Sequence, residues 1–199
     1  MMDFTNPPPD PVPACEAWFR EAAEQTRLPN PNAMTVATTG PDGRPSARIV
    51  LLKGFDARGA VFYTNSESRK GVELADNPRA SLLFHWDELE RQIRIEGGVT
   101  HVDEAEADAY FATRRRESQL GAWASRQSRP CPSREAFRQA YGEMEQRFEG
   151  GDVPRPPHWL GYRVGLETVE FWQGRDARLH DRVLYTAGPD GWDVQLLFP

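Results

Sequence analysis

Short runs rich in Val, Ile, Thr and aromatic residues alternate with tight-turn sequences along most of the chain, and this rhythm constrains the fold more than any other feature. Met34–Thr39, Ser46–Lys53, Ala60–Thr64, Ala80–Trp86 and Arg91–Val102 read as strands. Pro41-Asp42-Gly43 joins the first pair, Asp56–Gly59 joins the next, and Gly97-Gly98 interrupts the fifth run as a bulge or bend does. Strand signals return at His158–Gln173, Arg178–Thr186 and Trp192–Phe198, the last two joined by Pro189-Asp190-Gly191. Tight turns demand antiparallel pairing, so the expectation is a mainly β, closed antiparallel barrel with helices packed outside it.

Three helical patterns fit that frame: Cys15–Gln25, Asp103–Thr113, and Ser133–Phe148 with Ser133 in N-cap position. Before them, Pro7, Pro8, Pro9, Pro11 and Pro13 predict an extended arm over residues 1–13, leaving 14–199 as one domain. A 39% apolar content with six Trp supplies a core for 199 residues. The net charge of −6 is a poor electrostatic match for nucleic acid or an anionic membrane, so an anion site must be local. No apolar run approaches membrane-spanning length. Cys15 and Cys131 form no metal-ligand spacing, and with no secretory signal pattern the expected location is cytoplasmic.

Several segments carry local cations. Asn65-Ser66-Glu67-Ser68-Arg69-Lys70 follows a strand and opens a helical pattern, which places two cations at a helix N-terminus suited to phosphate. In Arg48-Ile49-Val50-Leu51-Leu52-Lys53 the odd spacing sends Arg48 and Lys53 to opposite strand faces. Tyr110 and Arg114 stand at i and i+4, and Ser118 extends the stripe if the helix persists, a set that suits a phosphate monoester or simply a solvated basic patch. Read as a strand, Arg178-Leu179-His180-Asp181-Arg182 aligns Arg178, His180 and Arg182 on one face, either solvent-exposed or lining an electron-rich pocket, with Trp172 as a flat wall nearby. A dinucleotide or Walker fingerprint is absent.

In order, Arg48–Lys53, Phe62-Tyr63-Thr64-Asn65, Ser68-Arg69-Lys70, Leu89-Glu90-Arg91-Gln92, Ser118–Trp123, Gln127-Ser128, Glu170–Gly174 and Arg178–Arg182 closely resemble the pyridoxamine 5'-phosphate oxidase family. The resemblance runs from about Pro31 to Trp192. It implies an FMN-binding split β-barrel, a homodimer with FMN at the interface, and oxidation of pyridoxamine or pyridoxine 5'-phosphate by O2 to pyridoxal 5'-phosphate and H2O2. It also implies FMN contacts from Arg48, Ile49, Val50, Leu51, Leu52, Lys53, Tyr63, Thr64, Arg69, Lys70, Gln92, Gln127, Ser128, Trp172 and Arg182. Substrate contacts would come from Lys53, Tyr110, Arg114, Ser118, Arg178 and His180, with Arg178 and His180 as the catalytic pair that covers and holds the ring. The alternatives are an oxidase of another reduced ring such as a dihydrophenazine, or a non-catalytic flavin or pyridoxal phosphate carrier. Two departures from the family stand out: a short proline-rich arm where a basic, Tyr-containing segment is common before the first helix, and Leu196 where a C-terminal arginine is common; Arg115 where proline is common is a smaller change.

Overall fold

The computed structural model describes residues 2–199. Helix α1 (Val12–Gln25) precedes strands β1 (Ala33–Thr39), β2 (Pro45–Leu51), β3 (Gly54–Asp56) and β4 (Gly59–Asn65). Helix α2 (Arg69–Asp76) leads into β5 (Arg79–Trp86) and β6 (Arg91–His101). Helices α3 (Glu104–Ala112), α4 (Arg116–Ala124) and α5 (Arg134–Arg147) come next, then β7 (Trp159–Val164), β8 (Thr168–Gln173), β9 (Asp181–Gly188) and β10 (Gly191–Leu196).

Every ladder is antiparallel, as the turn sequences require. The circuit β1-β5-β6-β7-β4-β3 returns to β2, which pairs with β1. It is split where β2 gives way to β3: Leu52 donates its N–H to Asn32 O at 2.9 Å while Lys53 donates to Val61 O at 2.8 Å, so consecutive residues bond to different strands. The bend expected at Gly97-Gly98 lies inside β6, which pairs β8 up to Glu96 and β7 from Val99. Glycine is required there, because a Cβ on Gly97 would stand 2.1 Å from Gly165 O. The arrangement is the expected mainly β split barrel with peripheral helices.

Alternating burial drives the sheets together. Val36, Leu82, Phe84, Ile93, Ile95 and Phe171 are fully buried, and α1 closes one end of this core with Trp18. Each such side chain contributes about 1.5–3 kcal/mol on leaving water. A second cluster, Phe111, Leu120, Val153 and Trp159, lies between α3, α4 and β7.

Four expectations need correction. The run His158–Gln173 is two strands, β7 and β8, with a change of partner between them. The helix carrying Tyr110 does not persist to Ser118: α3 ends at Ala112, and a separate helix α4 begins at Arg116, inside an Arg run with no side-chain cap to announce it. Residues 178–180 are not strand: Asp176–Arg178 form a 3-10 turn with Ala177 at φ 53° and Arg178 at φ 62°, and β9 starts only at Asp181. Arg178, His180 and Arg182 therefore do not share an alternating strand face.

The proline-rich arm also behaves differently. Met1 lies outside the described residues, but Met2 is buried, the Phe4 ring lies 6.5 Å from Trp18, and the Tyr185 hydroxyl donates to Pro8 O at 3.0 Å. Pro11 is the N-cap of α1, and Asp10 accepts the Val12 N–H at 2.9 Å. Proline's fixed φ suits the first helical turn, so these residues start a helix instead of prolonging an extended arm. Removing residues 2–8 is accordingly expected to cost about 1–3 kcal/mol through lost apolar burial, lowering Tm by several degrees in a thermal melt. An unchanged melting temperature would show that the packed arm contributes nothing.

Candidate functional site

Beside the split in the barrel, β2, β4, α2 and the α3–α4 region enclose an open cavity of about 750 Å3. Strand β2 contributes Arg48, Ile49, Val50 and Leu51, and Lys53 follows it. Because β2 ends at Leu51, the alternation that predicted opposite faces does not reach Lys53, and both cations line this one cavity. Tyr63 and Thr64 come from β4, Arg69 and Lys70 from α2, Tyr110 and Arg114 from α3 and its end, Ser118 from α4, and Gln127 and Ser128 from the following loop. Leu52, which follows the strand, is the expected contact that does not line this cavity, and it packs against the main core.

Helix α2 carries the strongest local chemistry. Ser68 caps it by accepting the Gly71 N–H at 3.4 Å, and the helix packs so tightly on the preceding turn that a Cβ on Gly71 would stand 2.3 Å from Ser66 O. The amides of its first turn have no intrahelical acceptor. Beside them the buried Lys70 ammonium donates to Thr64 Oγ1 at 2.9 Å, Ser68 Oγ at 3.1 Å and Gln127 Oε1 at 3.1 Å. Among the described residues Lys70 has no ion-pair partner. Burial, with repulsion from Arg48 added and attraction to Glu73 opposing, pulls its pKa down to about 8. A buried cation without a counter-ion, next to a helix N-terminus, fits the phosphate of the FMN that the family resemblance implies.

Arg48 and Arg69 are held differently. Glu73 accepts from Arg48 at 3.1 Å and from Arg69 Nε at 2.8 Å, so their charge is partly offset and Lys70 is the uncompensated member. Lys70→Ala is therefore expected to weaken FMN binding by about 1.5–3 kcal/mol, or about 10- to 150-fold, in a flavin titration. The protonated ammonium is the binding form, so affinity should hold below its pKa of about 8 and fall as pH rises through it. Equal affinity in wild type and variant would move the phosphate elsewhere.

A second cationic set shares the cavity. The Arg114 guanidinium is half-buried, burial lowers its pKa, and its Nη1 is enclosed with no hydrogen-bond partner. Lys53 Nζ lies 5.9 Å from the Tyr110 ring centroid, and the exposed Arg115 also lines the wall. Ser46, Ala47, Arg115 and Trp159 are lining residues not assigned from the sequence; β2 alternation extended back from Arg48 flags Ser46, whereas Trp159 was hidden in a run read as one strand.

The remaining expected site residues lie elsewhere on the protomer. Gln92, Trp172 and Arg182 line a separate hollow of about 220 Å3 with Arg94, Glu170 and Pro199. There Glu170 accepts from Arg182 Nε at 2.8 Å and also pairs with Arg94. Arg178 and His180 line neither cavity. Arg178 is exposed on its left-handed turn, while the His180 ring lies 4.7 Å from Trp172 and its Nδ1 accepts the Arg175 N–H at 3.1 Å.

Comparison with known proteins bears on both halves. Residues 20–148 match the family profile described as pyridoxamine 5'-phosphate oxidase, and residues 159–199 match that of the pyridoxine 5'-phosphate oxidase C-terminal dimerisation region. A pyridoxine/pyridoxamine 5'-phosphate oxidase of Rubrobacter xylanophilus is 60% identical over 184 residues, covering 92% of this chain and 84% of that relative. One of Cupriavidus metallidurans is 56% identical over 196 residues, covering 98% and 92%. The solved structure of PhzG from Burkholderia lata 383, in complex with tetrahydrophenazine-1-carboxylic acid, superposes with a TM-score of 0.92 at 35% identity and covers 98% of this chain and 96% of that one. With the match extending across both the cavity and the second hollow, the chain belongs to the pyridoxamine 5'-phosphate oxidase family.

Proposed function

We propose that this protein is an FMN-dependent oxidase that converts pyridoxamine or pyridoxine 5'-phosphate to pyridoxal 5'-phosphate, with O2 as acceptor and H2O2 as by-product, the amine substrate also consuming water and releasing ammonia. The observation that carries the reading is the pair of distinct cation sets in one cavity, Lys70 at the α2 N-terminus and Arg114 with an unpartnered Nη1. One set suits the cofactor phosphate and the other a substrate phosphate. Bound FMN supplies the redox chemistry by accepting two electrons from the substrate and passing them to O2.

The chain's own residues bind and orient. Lys70, Arg48 and Arg69, with Thr64, Gln127 and Ser128, hold the cofactor's phosphate end, and Tyr63, Ile49, Val50, Leu51 and Lys53 line its flank. Lys53, Tyr110, Arg114 and Ser118 hold the substrate phosphate, a positioning effect that can supply several kcal/mol toward the barrier. The match of residues 159–199 to a dimerisation region makes the protein a homodimer. In that dimer we assign Gln92, Trp172 and Arg182 of one protomer to the cofactor bound by the other, with Arg178 and His180 against the substrate ring. Because His180 Nδ1 accepts a backbone N–H, a neutral ring carries its proton on Nε2, which makes Nε2 a donor. Two consecutive left-handed non-glycine residues, Ala177 and Arg178, hold this turn in a strained form of the kind that clusters at functional sites. No helix among the described residues is long and apolar enough to cross a membrane, and a cytoplasmic location accords with the free cysteines Cys15 and Cys131.

The likeness to PhzG favours a second reading, oxidation of a reduced phenazine-type ring. Such a substrate leaves the Arg114 set without a task. The test is to identify the flavin released on denaturation and to measure oxygen uptake with phosphorylated and unphosphorylated vitamers. FMN release, and uptake with pyridoxamine 5'-phosphate far exceeding that with pyridoxamine, is the expected result. A protein that cannot be loaded with FMN contradicts the cofactor assignment; a loaded protein that takes up no oxygen with any vitamer contradicts the vitamer-oxidase reading, and oxygen uptake with a dihydrophenazine then separates the second reading from a non-catalytic carrier.

A further inference from the structure

Trp159 has no part in the assignments above, yet the Arg114 region is built around it. In the β4–β7 ladder Tyr63 faces Gly161, and Trp159 stands two residues before that glycine on the same face. A Cβ on Gly161 would fall 2.6 Å from Tyr63 Cε1, so only glycine lets the Tyr63 ring lie across β7. The ring then reaches Trp159, with centroids 5.0 Å apart and planes 6° from parallel. Tyr110 joins from α3, 4.3 Å from Tyr63 and 6.0 Å from Trp159, again nearly parallel to both. Arg114 Cζ lies 4.9 Å from the centroid of the Trp159 ring.

An arginine can be oriented by a carboxylate or by an aromatic face, and the two have opposite consequences for an incoming anion. A carboxylate takes the N–H donors and offsets the charge, as Glu73 does for Arg48 and Arg69. An indole face fixes the guanidinium plane while leaving its in-plane N–H groups and its whole charge available. Arg114 has the second arrangement: it lies over an indole, makes no ion pair among the described residues, and keeps Nη1 without a partner.

We propose that Trp159 is a positioning residue for the substrate phosphate, its indole face fixing the Arg114 guanidinium. This rests on the reading of the Arg114 set as the substrate-phosphate site. Trp159→Leu is expected to raise KM for pyridoxamine 5'-phosphate about tenfold, with kcat and FMN affinity within about twofold of wild type. Trp159→Phe, which keeps an aromatic face and most of the packing, should stay within about threefold.

The decisive readout is a cycle with Arg114→Ala in the FMN-loaded enzyme. If Trp159 acts through Arg114, either Trp159 variant changes KM less than twofold once Arg114 is gone, by about the logic of any coupled pair. Should Trp159→Leu fail to fold, Trp159→Met, which also removes the aromatic face, carries the same cycle. Equal losses in both backgrounds, a KM unchanged when the aromatic face is removed, or a matching loss of FMN affinity would overturn the proposal. A wild type that oxidises phosphorylated and unphosphorylated amines alike overturns the substrate-phosphate site itself, which is a distinct outcome.

Discussion

Glu73→Ala is expected to lose about 3–5 kcal/mol of stability in denaturant unfolding, the range for removing one partner of a buried charged pair. Glu73 ties three elements together. Its Oε2 accepts from Thr38 Oγ1 of β1 at 2.5 Å, from Ser46 Oγ of β2 at 2.6 Å and from Arg48 at 3.1 Å. Its Oε1 accepts from Arg69 Nε on its own helix at 2.8 Å. Burial works against ionisation of this carboxyl, but the hydrogen bonds from Ser46, Thr38, Arg69 and Arg48 outweigh it and bring the pKa down to about 2. Folding therefore favours the ionised form. The resulting stability is fully present above the ordinary value of 4.5 and is lost as pH falls toward 2. Wild type should lose about 3 kcal/mol across that window, and Glu73→Ala should lack this component of the acid slope. A variant as stable as wild type at neutral pH would show that the cluster contributes nothing net.

Arg114→Ala is expected to lower kcat/KM for pyridoxamine 5'-phosphate by about 30-fold or more, from the roughly 2–5 kcal/mol lost when a desolvated charge pair is broken. Most of the change should appear in KM, because the phosphate is bound in both the ground state and the transition state. FMN affinity should not change, since the Lys70 set is made of other residues on other elements. Steady-state kinetics beside a flavin titration separates the two. A parallel loss of flavin would mean that the cavity holds one phosphate site and not two.

The legible part of this protein is what local rules encode. Turn sequences marked the hairpins, the Ser68-Arg69-Lys70 run marked a helix end with cations, and Gly97-Gly98 marked the bend by which β6 changes partners. What stayed hidden depends on distant contacts. Arg69 and Glu73 are spaced as an i,i+4 pair, but nothing near them in sequence announces Thr38 or Ser46. Arg178–Arg182 reads as strand because Leu179 and Val183 are apolar, yet the chain enters left-handed backbone at Ala177 and Arg178, with no glycine or asparagine to signal it. The prolines before α1 pointed to an exposed arm, and only the folded core shows Met2 and Phe4 covering Trp18. Trp159 was invisible as a site residue because its role depends on the room that Gly161 leaves in a neighbouring register.

The central claim is that one cavity places a flavin beside a substrate held by its phosphate. The direct measurement is to mix the FMN-loaded protein anaerobically with pyridoxamine 5'-phosphate and follow the flavin's visible absorbance. Full bleaching by the phosphorylated amine, recovery of the absorbance when oxygen is admitted, and little bleaching by equimolar pyridoxamine is the result this account predicts. Absorbance that stays unchanged with the phosphorylated amine but falls with a dihydrophenazine would contradict it.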